Sequence, residues 1–577
     1  MPSPARPTLA AHARASTRAP LYAMLLAVLV ACPLIACKKT SSAGAGTDRH
    51  AGAPWFEEVA LESNVDFVHA SGHRERLWFP EIMAGGVALF DYDNDGDLDL
   101  YLVQSGDLNT PPSGRTQNRL YRNLGDATFE DVTAVAGVGD TGYGVGCTCG
   151  DFNGDGAVDL YVTNVGPNVL YQNEGDGTFT DVTARAGVGD PAFSTSAAFV
   201  DYDADGNTDL FVANYVVWSH ALEVDCRTPD GRATYCGPSS YTKSTRDTLY
   251  RNLGNGKFAN VTASAGLGGT VGTGLGVVCA DFDNDHGMDL YVANDGMVNR
   301  LWINDGHGRF RDRALISGCA SNEFGASEAG MGVAAVDFNH DGALDLFISH
   351  LRGETNTFYL NTNGLFEDAT STVGLALPSR IFTGFGCGFA DFDHDTIQDL
   401  YVANGRVVSG LPREDPDDPY AEPNQLFRGL PGMRFEEVRP RGGTSELLVS
   451  TSRGAAFGDL DNDGDIDVVV VNKDSRPYLL RNIVGHRGNW IMFRVLQRGN
   501  QDAVGAMVRL DFAGLSRWRL VQPAYSYCAG NDPRIHCGLG AATQVDRVTV
   551  RWPDGGEEAF GPFAAGRHYE LRKGSGR

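Results

Sequence analysis

The sequence predicts an all-β protein: a seven-bladed β-propeller closed by an N-terminal strand, followed by a small C-terminal β-domain. Three observations predict it. First, an acidic nonapeptide, Asp91-Tyr-Asp-Asn-Asp-Gly-Asp-Leu-Asp99 in its first copy, recurs with starts at 151, 201, 281, 337, 391 and 459, at intervals of 60, 50, 80, 56, 54 and 68 residues. Repeats of that size belong to solenoids and propellers. Second, each copy lies between two short apolar runs and is followed by a hairpin-like half-repeat, which makes four strands per repeat. Third, the last repeat lacks a final strand, and an unpaired copy of that strand stands near the N-terminus.

In the first half-repeat, Gly85-Gly-Val-Ala-Leu-Phe90 leads into the acidic loop and Leu100-Tyr-Leu-Val103 leaves it. The second half runs from Leu120-Tyr-Arg-Asn123 to Phe129-Glu-Asp-Val-Thr133, and returns as Leu170–Asn173 with Phe179 and as Leu249–Asn252 with Phe258. Short aromatic and β-branched runs between Gly, Asn and Asp turns are strand signals. The seventh repeat reaches Tyr478-Leu-Leu-Arg-Asn482 and stops, so Phe56-Glu-Glu-Val59 is expected to complete it and remove an exposed sheet edge.

Alternate Asp side chains on a tight loop repel one another unless a cation neutralises them, and calcium takes about six to eight hard oxygen ligands. The net charge of −26 has much of its acidic excess in these loops, and no basic stripe favours nucleic acid as a partner.

The first 37 residues read as a targeting segment. Arg6, Arg14 and Arg18 precede an apolar run, Leu21–Ala36, that is short for a membrane span. It ends in Leu34-Ile-Ala-Cys37, which resembles a bacterial lipobox. The resemblance implies a lipid anchor on Cys37 and a tether over 38–54; the alternative is an ordinary secretory signal. Both predict export, to the cell envelope in the lipoprotein case. There disulfides form, and Cys226 and Cys236 share one polar loop and are expected to pair.

The two half-repeats over about 56–482 resemble FG-GAP, or VCBS, repeats of integrin-type propellers. That resemblance implies calcium held by loop positions one, three, five and nine plus the carbonyl at seven. The implied side-chain ligands are Asp91, Asp93, Asp95 and Asp99; Asp151, Asn153, Asp155 and Asp159; Asp201, Asp203, Asp205 and Asp209; Asp281, Asp283, Asp285 and Asp289; Asp337, Asn339, Asp341 and Asp345; Asp391, Asp393, Asp395 and Asp399; and Asp459, Asp461, Asp463 and Asp467. His286 and Thr396 replace the turn glycine in the fourth and sixth loops, where weaker sites are expected because a side chain resists a positive φ.

The propeller is assigned to 55–485 and the tail to 486–577. The tail resembles the ASPIC/UnbV domain of bacterial proteins related to the cartilage acidic protein family, through Gly505-Ala-Met-Val-Arg509, Asn531-Asp-Pro-Arg-Ile-His536, Gly538-Leu-Gly540 and Val550-Arg-Trp-Pro-Asp-Gly555. Cys528 and Cys537 replace the apolar and Phe residues usual there, and from that departure a Cys528–Cys537 disulfide is expected. Asp532, Arg534 and His536 are read as a salt-bridged turn, with a site as the alternative.

Long connections at 105–118, 215–247 and 405–423 fall on the face opposite the acidic loops, so that face is expected to bind. The second strands end in Gln104, Asn164, Asn214, Asn294, His350, Asn404 and Asn472, a ring expected at the channel mouth and read as turn caps. The expected function is a calcium-binding, surface-anchored binding or adhesion protein that recognises an extracellular protein or glycan. The alternative is a carbohydrate-active lyase or dehydratase using His350, Arg352 and Glu354.

Overall fold

The computed structural model describes residues 52–577, apart from 84, 242 and 410–413. The targeting segment, Cys37 and the tether up to residue 51 therefore lie outside the described residues. Among the described residues, seven sheets dominate the fold: six are antiparallel and four-stranded, and the first has four antiparallel strands plus a fifth, parallel strand from the tail. Their first strands are Val87–Phe90, Gly144–Gly150, Ser194–Val200, Gly274–Ala280, Val333–Val336, Gly384–Ala390 and Ser452–Gly458. Each packs beside the next in that order, and the seventh packs beside the first, which makes the ring of a propeller.

Burial falls from the axis outwards. Val87–Phe90 and Asp99–Leu102 are buried at every position, whereas only the Phe of Phe129–Asp131 is buried. This gradient explains why inner strands read as continuous apolar runs and outer strands alternate. As expected, Phe56–Glu58 closes the last sheet, with Phe56 opposite Asn482. Close packing also explains the inner glycines. A Cβ on Gly146 would lie 2.7 Å from the Thr195 carbonyl oxygen, and one on Gly332 would lie 2.1 Å from that of Phe385.

A second cyclic device links the sheets. The Asn ending each third strand donates to a carbonyl in the acidic loop of the preceding sheet: Asn123 to Leu460, Asn173 to Tyr92, Asn252 to Phe152, Asn304 to Tyr202, Asn361 to Phe282 and Asn482 to Phe392, at 2.7–3.0 Å. The sixth sheet has Gly429 there, because a Cβ would meet the Gln398 carbonyl oxygen at 2.3 Å. Asn252→Ala removes two buried donors and is expected to cost about 2–4 kcal/mol, measured by urea unfolding.

The tail is a three-stranded sheet, with Asn489–Leu496 central, packed against a four-stranded sheet built on Met507–Phe512 and Arg547–Arg551. Ile491, Phe493, Val508, Leu510, Val548, Val550 and Trp552 form its core. The tail is not set apart from the propeller: His50–Arg577 is one compact unit. Its segment 523–531 enters the ring of first strands. Ala529–Gly530 pairs in parallel with Val87–Ala88, Ser526 exchanges backbone hydrogen bonds with Val333, and the Cys528 N–H donates to Ser196 Oγ.

Cys226 and Cys236 are bonded, as expected. The Cys528–Cys537 pairing is overturned: both are buried free thiols. Cys528 lies in the ring beside Ser196, whereas Cys537 lies on the tail strand Ile535–Gly540 beside Arg519, so segment geometry holds them apart.

Candidate metal centres

Each acidic loop is a prearranged set of oxygen atoms. The first carboxylate accepts the backbone N–H of position six and, in most loops, of position five: Asp91 accepts from Asp95 and Gly96, both at 3.1 Å, and Asp391 from Asp395 and Thr396 at 2.9 and 2.8 Å, whereas Asp151 accepts from Gly154 and Gly156. The ninth accepts from position two and from the third strand, as Asp99 does from Tyr92 and Asn123. Position six takes the left-handed conformation, with φ of 97° at Gly96, 75° at His286 and 82° at Thr396. The β-branched Thr396 is therefore held in a conformation that costs it energy.

In five loops three carboxylates have oxygen atoms within 4.8 Å of one another: Asp91/Asp93/Asp99, Asp201/Asp203/Asp209, Asp281/Asp283/Asp285, Asp391/Asp393/Asp399 and Asp459/Asp461/Asp467. The second and fifth loops carry Asn153 and Asn339 at position three, whose amides donate to Asp155 and Asp341. Burial pushes the ninth carboxyls up, to about 8 for Asp99, Asp209 and Asp345 and well above the usual range for Asp159, Asp289, Asp399 and Asp467.

A metal ion fits these loops on one particular observation. Oδ1 of Asp93, Asp203, Asp283 and Asp393, all at position three, and Oδ1 of Asp459 are buried without a hydrogen-bond partner. Orphaned buried oxygens in an all-oxygen donor set suit a hard cation. In two loops an arginine supplies part of the neutralisation: Arg251 reaches Asp203 and Asp205, and Arg428 reaches Asp393 and Asp395, at 2.7–2.9 Å. Sequence reasoning missed these arginines, whose position in the third strand shows only once the strands are paired.

The tail docks on this same face. Gln501 Nε2 donates to the Asp151 carbonyl, Arg534 Nη2 to that of Asp459, Arg517 Nε to that of Thr396, and the Gly540 N–H to that of His394, at 2.9–3.2 Å. Asp532 and Arg534 form the expected salt-bridged turn, with Arg534 Nε 2.9 and 3.0 Å from the two carboxylate oxygens.

At the opposite end, Phe79, Ile82 and Met83 pack with Tyr215, Tyr235, Tyr241, Phe385 and Tyr527 across the axis. The ring of second-strand residues is structural, as read. Asn164 and Asn472 donate to carbonyls of the following turn and Asn404 to the Pro423 carbonyl at the end of its long connection, and the ring of buried His350 faces the Thr355 carbonyl through Nδ1, at 3.0 Å. Arg352 instead pairs with Glu422, and Glu354 accepts the Ala329 N–H, so the three side chains do not converge on one site.

Burial lowers the His350 imidazole to about 4, although Glu328 lies 3.9 Å from Nε2. A lowered folded value means that its contribution to stability is complete above the ordinary value near 6.5 and is lost as pH falls towards 4. His350→Asn, which restores the residue used by most other sheets, is expected to preserve stability at pH 7 and to reduce the loss between pH 6.5 and 4 in urea titrations.

Fold and loops together define a repeat propeller whose acidic loops carry carboxylate clusters of a kind that could hold a metal ion, with a docked C-terminal domain. Residues 91–162, 151–212, 235–292 and 281–348 match the FG-GAP-like repeat, and 496–577 match ASPIC and UnbV. The chain is 26% identical to mouse (Mus musculus) cartilage acidic protein 1 over 491 residues, covering 82% of this chain and 70% of that protein. It is 30% identical to the Xenopus tropicalis protein of the same name over 326 residues, covering 54% of this chain and 46%, under half, of that relative's length. Among solved structures, rhamnogalacturonan lyase YesW shares 13% identity at a TM-score of 0.38, covering 70% of this chain and 72% of that one. The chain is thus an FG-GAP repeat protein with a C-terminal ASPIC/UnbV domain, homologous to cartilage acidic protein 1.

Proposed function

We propose that this protein is a calcium-stabilised, exported binding protein, held at the cell envelope by a lipid on Cys37, that recognises an extracellular protein or glycan through the long-loop face of its propeller. One observation carries the choice of face: the protein's own tail occupies the acidic-loop face. The remaining face presents the loop 215–247, closed by Cys226–Cys236, with Val217, Leu222 and Val224 exposed by 40%, 48% and 39%. Exposed apolar side chains on a braced loop are what a docking surface requires. Calcium would be held by the carboxylates of the acidic loops, where it supplies charge neutralisation and fixed geometry and takes no part in chemistry.

The test is an array of extracellular proteins and glycans probed with the calcium-loaded protein. Binding that is lost in the Val217→Ser/Leu222→Ser/Val224→Ser variant supports the reading, and binding indifferent to all three changes removes it. Cys37→Ser is expected to shift the protein from the membrane fraction to the soluble fraction; unchanged fractionation would remove the lipid anchor.

A further inference from the structure

Seven copies of one loop in one chain allow an internal comparison. The residue before the third-strand Asn, or before Gly429 in the sixth sheet, is arginine in four sheets: Arg122, Arg251, Arg428 and Arg481. All four belong to loops with Asp at position three; the fourth loop, which also has Asp there, has Ile303 instead. The second and fifth loops, with Asn at position three, have Gln172 and Leu360. A positive side chain thus accompanies the extra carboxylate in all but one case. The four arginines take two arrangements. Arg251 turns towards its loop, 2.8 Å from Asp203 and 2.9 Å from Asp205. Arg428 does the same, 2.8 Å from Asp393 and 2.7 Å from Asp395, with Arg487 a further cation 3.9 Å from Asp393. Arg122 and Arg481 turn away to the outermost strand, where they donate to Glu130 at 2.9 Å and Glu57 at 2.6 Å. Strand register explains the second arrangement. Glu130 stands directly opposite Arg122, and Glu57 opposite Arg481. Glu436 stands opposite Arg428 in the same way, whereas Ala259 stands opposite Arg251.

We propose that these arginines are built-in counter-ions that set the calcium affinity of their loops, each swinging between the loop carboxylates and the outer strand. The inference rests on the calcium reading above. A guanidinium across the carboxylates of positions three and five neutralises part of their charge with directed N–H groups. Those carboxylates are also side-chain ligands that calcium would use, so arginine and calcium compete for the same oxygens. The side chains are 39–43% exposed, so the swing disturbs no packed core. Ion pairs this exposed are weak enough for a divalent ion to displace them. An acid opposite the arginine lowers the cost of displacement because it takes over the guanidinium. Glu436 therefore makes Arg428 releasable, and Ala259 gives Arg251 no acid opposite to move to. The arginines grade the loops, so that they fill in sequence as calcium rises.

The experiment titrates calcium calorimetrically into the full chain and follows melting in calcium and in EDTA. Arg428→Gln is expected to tighten the weakest calcium step at least about fivefold. Glu436→Gln is expected to weaken it at least about threefold, and to change nothing when Arg428→Gln is already present, which is the signature of a coupled pair. Ala259→Glu is expected to tighten one step at least about threefold, and only while Arg251 is present. A bracing role alone predicts a different pattern: Arg428→Gln would then melt lower than wild type in both media, whereas a counter-ion is missed in EDTA and not in calcium. Wild-type calcium binding with affinity unchanged or reduced in Arg428→Gln overturns this inference and leaves the calcium reading intact. An effect of Glu436→Gln that persists without Arg428 overturns the swing. Absence of any calcium binding by the wild type removes the calcium reading and this inference with it. The variants stand in two different sheets, so where one does not fold the other decides.

Discussion

Stripping calcium with EDTA is expected to lower the melting temperature of this protein by ~10 °C or more. A single site with free ion at about 1,000 times its dissociation constant contributes about 4 kcal/mol, which for a domain of ordinary size corresponds to several degrees. Five loops hold three carboxylates within reach of one ion. Without a cation, the buried oxygens of Asp93, Asp203, Asp283 and Asp393 stay unpaired and their loops repel themselves. Scanning calorimetry in calcium and then in EDTA measures the effect. A melting temperature that stays within ~2 °C would mean that these are acidic turns and not metal sites. The sixth loop is expected to fill last, since Thr396 sits at φ 82° and Arg428 already lies on Asp393 and Asp395. Asp399→Asn should therefore change calcium stoichiometry less than Asp99→Asn.

Tyr527→Ala is expected to cost about 3–5 kcal/mol, the range for deleting a large buried ring. Tyr527 is fully buried inside the ring of first strands, stacks edge-on against Phe385 at 4.9 Å, and donates its hydroxyl to the Met83 carbonyl at 2.5 Å. It joins the tail to the segment that covers the far end of the axis. Tyr527→Phe keeps the ring and loses the hydrogen bond, and is expected to cost about 1–2 kcal/mol. The neighbouring Cys528 reports the same event: maleimide labelling, read by peptide mass spectrometry, should rise at least tenfold in Tyr527→Ala over wild type. Equal stability of the two variants, with Cys528 protected in both, would show that the segment does not depend on this residue.

The propeller was legible because its signals are local and repeated. The spaced acidic residues recur in all seven repeats, and looser copies of the L-Y-x-N and G-x-F runs recur in most of them, so one ambiguous copy is corrected by the others. Even closure by Phe56–Glu58 could be read, because the chain is one strand short at one end and one strand over at the other. The tail was harder to read. Its strands were recognisable, but nothing local shows that Tyr527 crosses a ring of strands nearly 450 residues away in sequence or that Cys528 ends beside Ser196. The disulfide expectation failed for that reason: two residues nine apart can lie on different sides of a domain boundary once one segment enters the propeller.

The sequence by itself determined the repeat count, the strand order within each sheet, the acidic loops and the turn-capping role of the Asn ring, because each depends on residues within about one repeat of one another. Only the tertiary structure decided which glycines are obligatory, that the third-strand Asn residues tie each sheet to the one before, that the tail covers the acidic-loop face, and that the rings of His394 and His536 lie side by side. Those outcomes depend on close approach between segments distant in the chain. Such contacts are fixed by steric fit and by the pairing of buried polar groups, neither of which leaves a periodic trace in the sequence.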